Sequence, residues 1–597
     1  MAAFTYPGVY IEEISSGQHT ITGVATSIAS FIGWANQGPV GKAVMVESWP
    51  EYQATFGGMI PGIYLGYAVY QFFLNGGSQA YIIRLVDTNA ETATSMIGGL
   101  VLYASSPGVW GNNIGVSITK LTTSGTVSTF NLQVTMLSPS GTPSTLESYT
   151  NLSTSTASSQ YAVTVINSDS NYISFTPPGG SPPSSITVSA VTATIEVIAG
   201  SITGTTAFTA GETVKQSVTG ATATLLGTVN GSYLVLSSVV TGTANSSGTW
   251  TGETSTATFA PTSAPVSSTS IPLSLGAGTV KVGADGTQLI PSSADAGGDF
   301  ETQLNGANGF ALLNNVPIFN LLCVPGEASP SAIPNLLQCC ATNRAFLIVD
   351  SPQTSAASVQ TAVNSLTSGP VDSAGTSLAE GAYITNSAFY FPWVTAPDPQ
   401  VGFRPTQFPP CGFVAGIYAS TDASRGVWKA PAGIDAGLNG ALGLQYVLTD
   451  LQNGSLNQVG VNCLRQFPIY GNVVWGARTI AGADALGSQW KYVPIRRLAL
   501  FLESSLYAGT QWAVFEPNAE PLWGQVRLSI GTFMQGLFLQ GAFAGTTPQQ
   551  AYFVKCDGDN NPDSSVAMGI LNITVGFAPL YPAEFVVIKI QQLINQS

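Results

Sequence analysis

The chain changes its hydrophobic period twice. From Thr26 to Val86 it reads as strand, loop, helix and strand. From about residue 104 to 285 it becomes a series of short Thr/Val/Ser stretches broken by Gly and Pro, without a single arginine, and from Phe310 onward strand-and-helix patterning returns. Side chains alternate with period 2 in a strand and 3.6 in a helix, so one layer cannot absorb both patterns. The order implies a multidomain protein, an α/β layer joined with all-β segments.

Within the first α/β stretch, Ser30–Ala35 is a short apolar strand. Tyr64–Asn75 places Leu65, Val69, Phe72 and Phe73 on one helical face and stops at Gly76-Gly77, and Tyr81–Val86 is the next strand. In the all-β stretch, 221–229 and 232–240 flank Asn230-Gly231, a strong hairpin signal. Ala210-Gly-Glu-Thr213 is echoed by Thr251-Gly-Glu-Thr254, and 187–275 reads as an inserted β module. Strands are expected at Ile318–Val324 and Ala345–Asp350 around a helix at Pro334–Thr342, and amphipathic helices at Arg496–Glu516 and Pro521–Ala544.

Both ends look extended. Pro7 fixes its own φ and disfavours helix at Tyr6, while Val9 and Ile11 prefer strand. Ten such residues at roughly 3.3 Å each reach about 30 Å, enough to touch another subunit. The segment Glu584-Phe-Val-Val-Ile-Lys-Ile590 is a strongly β-branched strand and a second arm candidate.

At 597 residues the chain exceeds one core, and a prior of about 150 residues per domain suggests roughly four. The expected divisions are an N-terminal arm (1–20), the first part of the α/β core (21–104), an outer β domain (105–186), the inserted β module (187–275), a central α/β domain (276–440), a C-terminal inner α+β domain (441–580) and a C-terminal arm (581–597). Charged residues are only 8% of the chain, against ~25% in typical globular domains. Weak repulsion between copies favours dense self-association. The net charge of −14 argues against nucleic-acid binding, which needs clustered Lys and Arg. From Arg425 onward ten Lys and Arg face ten Asp and Glu, so the acidic excess lies upstream.

Signals for chemistry are sparse. His19 is the one histidine, which removes most mechanisms that need an imidazole as base or ligand. No GxxxxGK[ST] loop occurs, and no GxGxxG follows a strand. Cys323, Cys339, Cys340, Cys411, Cys463 and Cys556 form no CxxC pair and read as buried free thiols. Asp557-Gly-Asp559-Asn-Asn-Pro-Asp563 resembles a calcium loop but has Pro562 where Gly belongs and Met568 where the closing Glu belongs, so it reads as a polar turn. No catalytic residue, cofactor or metal site is expected. Met1–Ile14 carries no secretory signal, and Phe310–Val324 is too interrupted to span a membrane, so a cytoplasmically folded chain without membrane binding is expected.

An ordered set of short words carries a resemblance. Tyr6-Pro-Gly-Val-Tyr-Ile-Glu-Glu13 is followed by Phe31-Ile-Gly33, Gly38-Pro39, Phe56-Gly57, Phe72-Phe-Leu-Asn-Gly-Gly77 and Ser106-Pro-Gly-Val-Trp-Gly-Asn112. Later come Val427-Trp-Lys-Ala-Pro-Ala432, Leu456-Asn457, Val474-Trp-Gly-Ala-Arg-Thr479, Arg496-Arg497, Phe515-Glu-Pro-Asn518, Val554-Lys-Cys-Asp557 and Pro582-Ala-Glu-Phe585. In this order, across roughly 1–120 and 285–597, the words resemble the contractile tail-sheath proteins. The stretch 187–275 has no counterpart in the minimal family pattern.

The resemblance implies a non-enzymatic subunit with a subtilisin-like central domain used only as scaffold. It implies hexameric rings stacked around an inner tail tube, with baseplate and terminator or cap proteins as further partners. Each subunit would lend its termini to neighbours, which assigns Tyr6, Val9, Tyr10, Ile11, Glu12 and Glu13, and Glu584, Phe585, Val586, Val587, Ile588 and Ile590, as linking strands. Arg478, Arg496 and Arg497 are the candidate contacts to tube or neighbour, with a salt bridge to nearby acids of the same fold as the favoured alternative for the adjacent Arg496 and Arg497. The setting implied is a phage virion assembled in the host cytoplasm, or equally a bacterial contractile injection particle. Another self-assembling shell, such as an S-layer or adhesin, is the alternative that the Ser/Thr-rich region alone would suit.

Overall fold

Six parallel strands form the centre of the molecule in the computed structural model, which describes residues 19–189, 194–275, 277–291, 299–353, 358–381 and 383–589. From one edge the sheet runs Val44–Val46, Ala80–Leu85, Ala29–Trp34, Leu321–Cys323, Phe346–Asp350, Ser387–Phe391, Val461–Phe467 and Gly471–Val474. Only the two outermost strands are antiparallel to their neighbours. Alternate residues serve opposite faces. Phe31, Ile82, Cys323, Ile348 and Tyr390 enter one core, and Ile32, Ile83, Leu322, Leu347 and Phe389 the other. A parallel sheet covered on both faces favours apolar side chains at most positions, which is why several of these strands read as nearly continuous apolar runs.

Helices Tyr64–Leu74 and Cys411–Arg425 cover the first face. They approach closely because a Cβ at Gly412 would fall 2.4 Å from the Ala68 carbonyl oxygen. Helix Ile333–Thr342 covers the second face. Strands Ala29–Trp34, Ala80–Leu85, Leu321–Cys323 and Phe346–Asp350 and helices Tyr64–Leu74 and Ile333–Thr342 lie within a few residues of their expected positions, whereas helix Cys411–Arg425 was not expected. The strands at 461–467 and 471–474 extend the central sheet past residue 440, because their partners lie far away in sequence.

The strand order reverses between Ala29–Trp34 and Leu321–Cys323, the place where open α/β sheets usually bind ligands. Here Ile63, Leu289 and Phe300 help to fill it, leaving about 10 Å³. Beside it the buried Arg84 donates to the carbonyls of Ala35 (2.7 Å), Gly38 (2.7 Å) and Pro107 (2.9 Å), tying the sheet to the turn that opens the β region.

That β region begins before residue 105, since Thr94–Ile97 and Leu100–Ala104 already belong to one of its two four-stranded sheets. The inserted module is a seven-stranded sheet that closes on itself where Ile195–Thr203 pairs with Tyr233–Thr241, around buried Trp250, Phe259 and Leu225. Asn230 and Gly231 both take positive φ, as their hairpin requires, and Ser232 N–H closes the turn on the Val229 carbonyl at 3.0 Å. The Asn230 amide also exchanges hydrogen bonds with Asn112 (2.9 Å) and Asn113 (3.0 Å), docking the barrel on the 106–112 turn. The two echoed segments meet: Glu212 accepts from the backbone N–H groups of Thr254 (3.1 Å) and Ser255 (2.9 Å).

All six cysteines are buried and free. His19 is exposed and stacks on Trp512 at 3.9 Å. The Asp557–Asp563 turn is bonded internally, Asp559 N–H to Asp557 (3.0 Å) and Asp557 N–H to Asn560 (2.8 Å). Among the described residues no helix is long and apolar enough to cross a membrane.

Candidate assembly site

The C-terminal α+β unit packs helices Val493–Gly509 and Glu520–Leu539 around Leu498, Leu502, Val526, Ile530 and Met534. Onto it folds a ribbon of two antiparallel strands, Tyr552–Lys555 and Thr574–Phe577. Each strand pairs on one side only, so both outer edges carry unpaired backbone groups among the described residues. Such a ribbon is marginal alone and offers a template for added strands. Tyr552, Val554, Val575 and Phe577 pack on the helical core, while Phe553 is 56% exposed on the other face.

The C-terminal arm leaves near this ribbon. Sequence reading makes 584–590 a strand. Residues 581–589 form no strand, since among the described residues no second strand lies alongside to complete a ladder. Phe585, Val586, Val587 and Ile588 are 75%, 80%, 78% and 80% exposed, an unusual state for four consecutive large apolar residues. Ile590, and Tyr6, Val9, Tyr10, Ile11, Glu12 and Glu13 of the other arm, lie outside the described residues.

Glu584 differs from the residues that follow it. Its carboxylate accepts from Arg478 Nε (2.7 Å) and Nη2 (2.8 Å), from Asn457 Nδ2 (2.7 Å) and from Tyr492 Oη (3.0 Å). Burial works to raise its pKa, but the Arg478 and Asn457 hydrogen bonds and the Arg478 charge hold the carboxyl below the ordinary glutamate value. Burial and the Glu584 charge push the Tyr492 phenol up to about 12. Asp484 binds the remaining Arg478 nitrogen at 3.0 Å and is itself paired with Lys491 at 2.7 Å.

Each of the three arginines read as candidate contacts has an internal partner, with Arg478 and Arg497 buried and Arg496 partly buried. Arg478 is 1% exposed and engaged by Glu584 and Asp484. Arg497 forms a two-pronged pair with buried Asp422 (2.9 and 2.7 Å) and donates to the Thr26 carbonyl (2.8 Å). Arg496 bonds Asn386 (2.9 Å), pairs with Glu503 (3.3 Å) and lies over the Trp490 ring. Arginines as deep as Arg478 and Arg497 must find their counter-charge inside the fold, as the within-fold alternative for Arg497 expects.

Sequence reasoning missed Asn457, Tyr492 and the ribbon edges as parts of the site. The available signal was co-occurrence: Asn457, Arg478, Val554 and Glu584 each fall within one of the ordered words. Another such word, Val427–Ala432, helps line a groove of about 1000 Å³ beside the arm root, together with Trp475, Tyr581 and Phe585.

The fold is similar to that of sheath proteins from contractile particles. A sheath tail protein of Listeria innocua superposes over 94% of this chain and 96% of its own, with a TM-score of 0.54 and 10% identity. The contracted sheath of an extracellular contractile injection system superposes over both whole chains, with a TM-score of 0.50 and 18% identity. At these identities the likeness is one of fold. Within that class, residues 315–480 match the phage tail sheath protein central domain, a span that ends just past the last strand of the central sheet. A prophage protein of Pseudomonas aeruginosa (strain UCBPP-PA14), described as a major tail sheath protein, is 25% identical over 289 residues, 46% of this chain. The match spans 66% of that relative's length. The chain thus carries the tail-sheath family domain and has tail-sheath relatives, as its ordered motifs imply.

Proposed function

We propose that this chain is the self-assembling subunit of a contractile sheath, stacking as hexameric rings around an inner tail tube and contracting from an extended metastable packing to drive that tube through a target envelope. The observation that carries the reading is the pairing of an exposed apolar arm, Phe585–Ile588, with a two-stranded ribbon open at both edges. Donated strands supply main-chain hydrogen bonds, and a head-to-tail contact that does not close on itself generates a helical filament. Tyr6–Glu13 and Glu584–Ile590 are the linking strands, and the ribbon 552–555/574–577 is their acceptor in neighbouring copies. Rigid subunits can then rotate and slide while the arms stay joined, a two-state rearrangement triggered at the baseplate.

The doubly wound central sheet supports its use as a subtilisin-like scaffold without catalysis. The barrel at 195–268 is an outward module on that scaffold. Tube, baseplate and terminator proteins are the further partners, and the particle is a phage tail or a bacterial injection device. Capsid and terminase genes beside this one would mark the former, and toxin cargo genes the latter. Electron microscopy of the purified protein tests the assembly: hollow striated tubes are expected, whereas flat lattices would indicate an S-layer. Deletion of residues 1–14 is expected to abolish long sheaths, and intact long sheaths from that variant would overturn the linking-strand role.

A further inference from the structure

The polar bonding at the arm root is concentrated on one side chain and then ends. Four hydrogen bonds from three side chains converge on Glu584, while the next four residues are left largely exposed. Asn457 comes from the helix Asp450–Gln458, whose start is fixed by a reciprocal cap in which Thr449 and Gln452 bond each other's backbone N–H. Tyr492 immediately precedes the helix Val493–Gly509.

Arg478 follows the last strand of the central sheet, and its backbone is locked on both sides by the buried Asn462. Arg478 N–H donates to Asn462 Oδ1 at 2.7 Å, and Asn462 Nδ2 donates to the Arg478 carbonyl at 2.7 Å. Asn462 itself lies in the strand Val461–Phe467, and its amide also reaches the Phe389 carbonyl of the adjacent parallel strand at 3.2 Å. A continuous bonded path therefore runs from the arm through Glu584, Arg478 and Asn462 into the central sheet. Tyr581 packs edge-on against Tyr492, and Pro582 restricts the backbone between them and Glu584.

We infer that Glu584 is the mechanical anchor of the C-terminal arm, a positioning residue that fixes where the arm leaves the subunit and passes load on the arm into the central sheet. The inference rests on the arm-donation reading above. A freely jointed arm would sample many exit directions and lose entropy on docking, whereas an arm held at its root docks from a defined start. Charge-assisted bonds from a pre-formed guanidinium fork suit that task better than apolar contacts, because they fix direction as well as distance.

The test compares three full-length-derived variants for subunit folding by circular dichroism and for sheath assembly by sedimentation and electron microscopy. Removal of residues 585–597 leaves the clamp and deletes the arm; long sheaths from it would overturn arm donation itself. With that deletion inactive in assembly, Glu584→Gln is expected to fold yet to raise the concentration needed for polymerisation about tenfold or more, giving short stacks, as loss of charge-assisted bonds implies. Normal sheath length from folded Glu584→Gln would overturn the anchor. Should that variant not fold, Tyr492→Phe, which removes one hydrogen bond and leaves Arg478 paired, is expected to raise the threshold a few-fold, and no change would overturn the anchor equally.

Discussion

The central sheet and the C-terminal ribbon are both built from apolar strands, but only one of them is finished within a single chain. The sheet has eight strands, helices on both faces and short antiparallel strands closing its edges. The ribbon has two strands, one covered face and, among the described residues, two open edges, with an apolar arm exposed nearby. The contrast marks the ribbon and arm as the parts on which the proposed assembly would act. Burial that is complete in one copy makes a rigid body, and burial left incomplete is a site for another copy.

The largest effect is expected on the finished side. Phe31 is fully buried between sheet and helix, and Phe31→Ala should cost ~3–5 kcal/mol in urea denaturation by deleting its packing and leaving a cavity. Asp422→Ala should cost a comparable ~3–5 kcal/mol, since it strands the buried Arg497 guanidinium between the central and C-terminal parts. A stability loss near zero for either would mean that the seam they occupy is not packed as described.

Acidity separates the two regions by sign. Burial drives Glu327, beside the central sheet, up to about 7, with the Glu301 charge adding to the rise against hydrogen bonds from Ser329. The native chain then keeps a proton that the unfolded chain has lost between about pH 4.5 and 7, so this group makes stability fall as pH rises through that window. Asp350, pushed up to about 6 mainly by burial, acts in the same direction. Glu584 is opposite. Its depressed native value gives stability that is present above the ordinary 4.5 and is lost as pH falls through the native value. In melting temperatures followed against pH, Glu327→Gln should flatten the slope between pH 4.5 and 7, and Glu584→Gln the loss below 4.5. An unchanged slope in both would remove the contrast.

The smallest effect on the isolated subunit is expected in the arm. Val586→Ser should change its stability by no more than about 0.5 kcal/mol, because the side chain is already largely exposed. The same substitution should shorten sheaths seen by electron microscopy, the readout that separates an assembly residue from a core residue.

Legibility in the sequence follows the same division. The strands at 30–35, 81–86 and 345–350, the helix at 64–75 and the Asn230-Gly231 turn were readable within a few residues, because each is set by local periodicity or by a turn's demand for positive φ. The continuation of the central sheet through Val461–Val474 was not, since parallel pairing joins segments that share no local signal. The clamp was half readable. Arg478 and Glu584 each stood out, one as an outward contact and one as part of a strand, and only the fold brings them to 2.7 Å across 106 residues. Burial of an arginine depends on where its counter-charge arrives, and that is a tertiary property.

In the proposed assembly the C-terminal ribbon and arm are completed by other copies while the central sheet is not. Backbone hydrogen exchange in free subunits and in assembled sheaths measures this directly. Amides in 552–555, 574–577 and 585–588 are expected to exchange quickly in the subunit and to become at least about 100-fold slower in the sheath, while those in 346–350 and 387–391 are slow in both. Equal exchange of the ribbon and arm in the two states would contradict it.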